Sequence, residues 1–182
     1  MKKHSLESKQ SLFLIIDFQE KLMKVMGYAE KVYKNTILML AVCQQLDIPV
    51  VVTEQYPKGL GRTVPDIAKH LNKHLLLEKD SFSAATREIL EQLHSFQRRQ
   101  IVIAGSETHV CVFQTVRDLV AAGFKVYVLQ DGVCSRHKHN YENGLQLMRE
   151  EGAIITNTET VIFDLLKVSR TPEFKALQPL LK

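Results

Sequence analysis

Residues 101–129 read IVIAGSETHVCVFQTVRDLVAAGFKVYVL, and they contain two apolar runs that enclose a turn and an amphipathic segment. Both runs are continuous and rich in β-branched residues, which is typical of strands covered on both faces. Between them, apolar residues recur three and four positions apart over residues 112–123, so that one side of a helix is apolar. The stretch therefore predicts a strand, a helix and a second strand, with Cys111 near the start of the helix.

The same alternation of apolar runs and amphipathic segments continues along the chain. The short apolar runs cover residues 12–17, 48–54, 75–79, 100–105, 125–131 and 153–156. Strands separated by helical segments, about every 30 residues, indicate a parallel sheet between two layers of helices. We therefore predict an α/β fold: a Rossmann-like, three-layer α/β/α sandwich with a six-stranded parallel sheet. The 182 residues, 45% of them hydrophobic, fit one domain over residues 1–182.

The composition disfavours several classes of function. The net charge is +4, and the basic residues are scattered among 20 acidic ones, which argues against a nucleic-acid partner. The early apolar run LFLII has only five residues, too short for a signal peptide or a membrane span, so we expect a cytoplasmic protein with no membrane partner. Neither GxGxxG nor a GxxxxGKS/T motif occurs, which disfavours a nucleotide site.

The three cysteines have to be interpreted one by one, because an odd number without CxxC spacing implies neither a disulfide framework nor a zinc ribbon. Cys43 lies in an apolar helical segment and is predicted to be part of the core. Cys134 follows the fifth strand, where it is a packed thiol, a residue lining the site, or a redox partner of Cys111.

Three residues of complementary chemistry lie at the carboxyl ends of predicted strands, where open parallel sheets bind ligands. Taken alone, Asp17 could cap a helix, Lys79 could be a surface charge, and Cys111 could be a small residue buried in the core. Together they form a coherent set. A helix N-terminus and a nearby ammonium favour a thiolate, so we expect a lowered pKa at Cys111. The carboxyl group is then able to carry the thiol proton to a leaving amine.

Several sequence blocks resemble the isochorismatase-like cysteine hydrolase superfamily. LFLIIDFQ, EKDSFSA and GSETHVCVFQTVRDLVAAGFKVYVLQDGVCSR resemble its three signature blocks, in the expected order and across nearly the whole chain. VVTEQYPKGLGRTVPDI resembles the isochorismatase domain-containing subgroup. The resemblance implies a sheet of six parallel strands and a catalytic triad of Asp17, Lys79 and Cys111. It also implies a cis peptide bond between Ser106 and Glu107, which turns backbone N–H groups near Glu107 and Cys111 toward an oxyanion.

The activity implied by this resemblance is hydrolysis of a small amide, ureide or related C–N bond through a covalent intermediate on Cys111. Nicotinamidases of the superfamily carry an Asp and histidines as metal ligands after the second strand, but TEQYPKGLGRTVPDIAKH has no D-x-H there. The pairs His70 and His74, and His137 and His139, each lack an evident third ligand. We therefore predict no metal and no other cofactor, and a small-molecule substrate.

Four residues on loops flanking the predicted site are candidates for substrate contact, although each of them also suits packing beneath a loop. They are Phe18, Gln19, Tyr56 and Phe82. His109 lies on the same tight turn as Cys111, so its ring is expected to point away from the thiol. The resemblance also implies a homo-oligomer. The alternatives are a non-catalytic oligomeric scaffold with this fold and a redox sensor that uses Cys111 and Cys134.

Overall fold

The computed structural model describes residues 4–181, which form six strands and nine α-helices. The strands are β1 Ser11–Ile16, β2 Val50–Gln55, β3 Leu75–Lys79, β4 Gln100–Ser106, β5 Lys125–Cys134 and β6 Ile154–Thr156. The helices are α1 Glu20–Met23, α2 Ala29–Gln45, α3 Pro57–Leu60, α4 Pro65–Ala68, α5 Arg87–Ser95, α6 Phe113–Ala121, α7 Lys138–Glu150, α8 Thr158–Leu166 and α9 Pro172–Leu177. A π-helix, Thr108–Val112, immediately precedes α6. None of these helices is long and apolar enough to cross a membrane.

The strands form one sheet in the order β3-β2-β1-β4-β5-β6, and every neighbouring pair is parallel. All six residues of β1 are buried, as the continuous apolar run predicts for a central strand. The strand order reverses between β1 and β4, so the crevice between their carboxyl ends is the expected ligand position of such a sheet.

Two hydrophobic clusters cover the two faces of the sheet. Phe13 and Ile15 of β1 belong to the cluster that includes residues of α2, α4, α8 and α9. Leu12, Leu14 and Ile16 point to the opposite face and join the cluster of α5, α6 and α7. This alternation follows from the two-residue repeat of a strand. It confirms the predicted three-layer α/β/α sandwich with six parallel strands.

The element boundaries differ from the sequence prediction in two places that matter for the site. The fifth strand continues to Cys134 instead of ending at residue 131, because its last part pairs with Gly105 and Ser106 after a register shift. The helix predicted over residues 112–123 begins as the π-helix around Cys111 and becomes α-helical only at Phe113. π-Helical turns are rare and are frequent at functional sites.

The backbone of the π-helix packs directly against α7 at Gly144. A Cβ atom at this position would lie 2.9 Å from the carbonyl oxygen of Thr108 and 3.0 Å from the backbone N and Cα of His109. Because these are backbone atoms, they cannot move aside as a flexible side chain would. The absence of a side chain at Gly144 therefore lets α7 support the segment that carries Cys111.

We predict that Gly144→Ala lowers the free energy of unfolding by about 1–3 kcal/mol through overpacking. Gly27→Ala is the matched control, because a Cβ there meets nothing within 4 Å and should change stability by less than about 0.5 kcal/mol. Urea unfolding of the two variants measures the difference. Equal stability of both would contradict the close packing of α7 on the π-helix.

Candidate active site

A buried ion pair joins the ends of β1 and β3. The Lys79 ammonium donates to Asp17 Oδ2 at 2.6 Å, and the two side chains are 1% and 0% exposed. Thr53 Oγ1 donates to the other carboxylate oxygen, Oδ1, at 2.7 Å. Lys79 Nζ also donates to the carbonyl oxygens of Ser81 and Phe82 at 3.0 and 3.1 Å. Both charged groups are therefore fully hydrogen-bonded, as burial of an ion pair requires.

The backbone of Asp17 is held between two neighbouring strands. Its N–H donates to the Thr53 carbonyl at 3.1 Å, and its own carbonyl accepts from Ser106 Oγ at 2.9 Å. Asp17 has φ of 52°, in the left-handed region that residues other than glycine seldom adopt. Tyr56, after β2, is also left-handed, with φ of 38°. Such conformations persist where the surroundings enforce them and concentrate at functional sites.

Cys111 lies beside this ion pair, in the π-helix, and is buried. Its thiol donates to Gln55 Oε1 at a distance of 3.2 Å, and its carbonyl accepts from Thr115 Oγ1 at 2.6 Å. The thiol and the Asp17 carboxyl also shift each other's pKa, which places the two groups close together. The structure thus brings Asp17, Lys79 and Cys111 into one cluster.

The protonation of the cluster differs from the lowered thiol pKa expected from the sequence. Burial, followed by the negative charge of Asp17, raises the pKa of Cys111 to about 12. The Lys79 ammonium and the backbone N–H of Glu107 act in the opposite direction but do not outweigh them. Burial also raises the pKa of Asp17, against the effects of Lys79 and Thr53. These shifts favour a protonated thiol in the resting site and make the carboxylate beside it a stronger base than an exposed one.

The peptide bond between Ser106 and Glu107 is cis, at the position where the sequence resemblance places it. The Glu107 carbonyl accepts from the N–H groups of Val110 and Val112 at 3.1 and 3.2 Å. The Glu107 carboxylate accepts from the Arg136 N–H at 3.0 Å and from Arg136 Nε at 3.1 Å. These bonds fix Glu107 in the site, and its backbone N–H lowers the pKa of the Cys111 thiol.

The four residues suggested for substrate contact separate into two groups. Phe18 is buried in the α2-side core, edge-on to Tyr33, and so is not available to a ligand. Gln19 is also fully buried, and its amide is bonded to the backbone of Gln55 and Gly61. Tyr56 and Phe82 are 56% and 53% exposed, and the backbone of each is hydrogen-bonded to Lys79, so their side chains remain candidate walls of the site.

Gln55 is the contact of Cys111 that sequence reasoning missed. It is the last residue of β2, and β2 pairs with β1, the strand that Asp17 follows. The rule that placed Asp17 and Lys79 at the carboxyl ends of strands applies equally to this position. The position was therefore predictable from the sequence, although an uncharged amide does not by itself indicate a catalytic role.

The remaining cysteines and His109 lie outside the cluster. Cys134 belongs to the hydrophobic cluster on the α2 side of the sheet, whereas Cys111 belongs to the cluster on the α6 side. Cys134 also lines a cavity of about 320 Å³ between the starts of α2 and α7. Cys43 is in the core, as predicted. The His109 ring bonds through Nδ1 to Ser135 Oγ at 3.0 Å.

Residues 4–181 contain no group of three or more His, Cys, Asp or Glu side chains arranged to hold a metal ion.

Comparison with known proteins identifies the family. The Isochorismatase domain matches residues 11–160. Isochorismatase family protein 1A of Dictyostelium discoideum is 37% identical over 97% of this chain and 88% of its own. Isochorismatase domain-containing protein 2 of Xenopus laevis is 36% identical over 97% and 85%.

Solved structures agree with these relatives. The structure described as MAR1 ribonuclease from Caenorhabditis elegans superposes with a TM-score of 0.92 at 32% identity, covering 98% of this chain and 92% of that one. A structure described as a hypothetical protein from Trypanosoma cruzi gives a TM-score of 0.89 at 30% identity, with 96% and 92% covered. On the domain match, the relatives and the shared fold, the chain belongs to the isochorismatase-like hydrolase family.

Proposed function

We propose that the protein is a metal-independent cysteine hydrolase that cleaves the C–N bond of a small amide or ureide through an acyl thioester on Cys111. The observation that carries this proposal is the fully buried Asp17–Lys79 ion pair beside a buried thiol. Apolar residues of similar volume would fold at least as stably at these positions. A buried acid, base and nucleophile in one crevice are instead the components of nucleophilic catalysis.

In the first step, the Asp17 carboxylate takes the proton of the Cys111 thiol while the sulfur attacks the substrate carbonyl carbon. A C–S bond forms, and the carbonyl π electrons move to oxygen. The backbone N–H of Glu107, which lies near enough to lower the pKa of this thiol, then stabilises the oxyanion. The raised pKa of Asp17 favours the proton transfer, since a stronger base removes more of the proton in the transition state.

In the second step, the C–N bond breaks as protonated Asp17 gives its proton to the departing nitrogen. The oxyanion collapses to a thioester, and the amine leaves. Asp17, again ionised, then deprotonates a water molecule that attacks the thioester carbon, and the C–S bond breaks with the proton returning to sulfur. Lys79 keeps the carboxylate in place during both half-reactions through its 2.6 Å ion pair.

The two alternative functions find less support in the contacts. A disulfide between Cys111 and Cys134 requires sulfur atoms that meet at bonding distance, but these thiols pack on opposite faces of the sheet. A scaffold does not need a buried ion pair next to a thiol.

Assembly into a homo-oligomer remains compatible with hydrolysis. Exposed Phe163, Val168 and Leu180 offer apolar surface near the C-terminus, and the structure of YcaC from Escherichia coli, with the same fold, is described as an octameric hydrolase.

The proposal is tested by measuring amine or ammonia release from a panel of small amides and ureides. Cys111→Ala should lower kcat/KM by about 1000-fold or more, because the covalent route is lost. Cys134→Ala is the matched control and should stay within about threefold of the natural protein. If both cysteine variants turn over equally, or if only RNA is cleaved, as the name of the C. elegans relative suggests, the proposal is wrong.

Replacing Lys79 should show how much a buried carboxylate without an ionic partner lowers the free energy of unfolding. Lys79→Met is expected to lower the free energy of unfolding by about 3–5 kcal/mol, because Asp17 is left buried without its partner. The double variant with Asp17→Asn should recover most of that loss. Lys69→Met, which breaks the exposed pair with Asp66, should cost less than about 1 kcal/mol. Urea unfolding measures five proteins: the natural one, Lys79→Met, Asp17→Asn, the double variant and Lys69→Met. Simple additivity of the Lys79→Met and Asp17→Asn changes would contradict a coupled pair.

The pH dependence of the alkylation rate of Cys111 should show that the pKa of its thiol is raised. Since only the thiolate reacts and the pKa is raised to about 12, the rate constant for iodoacetamide should rise about tenfold per pH unit from pH 7 to pH 10. Peptide mapping by mass spectrometry follows this residue, with Cys111→Ala as the background. A rate that levels off near pH 7 would indicate a standing thiolate and contradict the proposed resting state.

A further inference from the structure

Gln55 contacts the proposed nucleophile through a group that is able to both accept and donate. Its side-chain oxygen, Oε1, accepts a hydrogen bond from the Cys111 thiol, with the sulfur 3.2 Å away. A primary amide carries two acceptor lone pairs on oxygen and two N–H donors on nitrogen, separated by a half-turn about one bond. Within residues 4–181, the thiol is the only hydrogen-bond partner found for this amide group.

The backbone of Gln55 is fixed by the buried side chain of Gln19. Gln19 Oε1 accepts from the Gln55 N–H at 2.8 Å, and Gln19 Nε2 donates to the Gln55 carbonyl at 2.9 Å. The same Nε2 also donates to the Gly61 carbonyl at 2.7 Å. These bonds hold the backbone of Gln55 at the site, and neither of the two to Gln55 involves its terminal amide.

The ammonium beside the sulfur cannot supply a hydrogen bond without losing another one. A lysine ammonium has three N–H donors. Those of Lys79 are used by Asp17 Oδ2 and by the carbonyls of Ser81 and Phe82. Thr53 Oγ1 likewise donates to Asp17. A thiolate formed at Cys111 therefore needs donors from elsewhere.

We propose, on the basis of the function proposed above, that Gln55 is a positioning residue that holds the Cys111 sulfur in both of its protonation states. In the resting state, Oε1 accepts the S–H group. When the proton passes to Asp17, a half-turn of the amide brings Nε2–H to the thiolate. No covalent bond of Gln55 changes, and its neutral side chain adds no charge to the ion pair.

Gln55→Met tests this role, because methionine has nearly the same length and shape but no amide. Hydrogen bonds to charged groups are stronger than those to neutral ones, so the thiolate loses more than the thiol. The rate constant for iodoacetamide alkylation of Cys111 should fall about tenfold at every pH below the pKa, which shifts the plot of log rate against pH by about one unit toward higher pH. Gln130→Met is the matched control, since this exposed glutamine at the same end of the sheet should leave the rate unchanged.

Two further variants separate positioning from folding. Gln55→Asn keeps the amide but withdraws it by one methylene and should give a similar loss, whereas Gln55→Glu, with a repelling carboxylate, should be slower still. The Tm of each variant shows whether it is folded. The alkylation rate is compared for the methionine or asparagine variant whose Tm equals that of the natural protein. An alkylation rate equal to or above that of the natural protein overturns the proposal. Because no substrate is present, this result is independent of whether the amide screen finds activity.

Discussion

The burial of Asp17 and Lys79 as an ion pair is the constraint on which the rest of the site depends. Removing two charges from water costs several kcal/mol each, and their attraction offsets this only when the other hydrogen-bonding positions are filled. Thr53 from β2 and two carbonyls after β3 fill them here. Satisfying the pair therefore fixes the carboxyl ends of β1, β2 and β3 relative to one another.

The same burial determines where the proton lies. A low-dielectric crevice disfavours every charged form, so the Cys111 thiol keeps its proton although a helical segment and an ammonium are close by. In the proposed mechanism, the nucleophile forms when the proton moves to Asp17, and it is not a standing thiolate. Lys79 then stabilises the base, the neutral amide of Gln55 contacts the sulfur, and the nearby N–H of Glu107 partly offsets the rise in the thiol pKa.

Much of the fold was predictable because continuous apolar runs in a chain of this length leave few arrangements besides a parallel sheet between helices. The clustering of Asp17, Lys79 and Cys111 followed from the rule for the carboxyl ends of such a sheet. The burial of Phe18 and Gln19 could not be predicted from the sequence, because it accompanies the left-handed backbone conformation of Asp17. The sign of the thiol pKa shift depends on burial and on the charge of Asp17, and this residue is distant from Cys111 in the sequence.

The most direct test of the account is mass spectrometry of the Cys111 peptide after acid quenching during turnover of a substrate amide. The account predicts an adduct on this peptide with the mass of the acyl group, the amine having left. Turnover that proceeds with Cys111 unmodified at every time point, or with the acyl group on another residue, would contradict the proposed chemistry of the buried thiol.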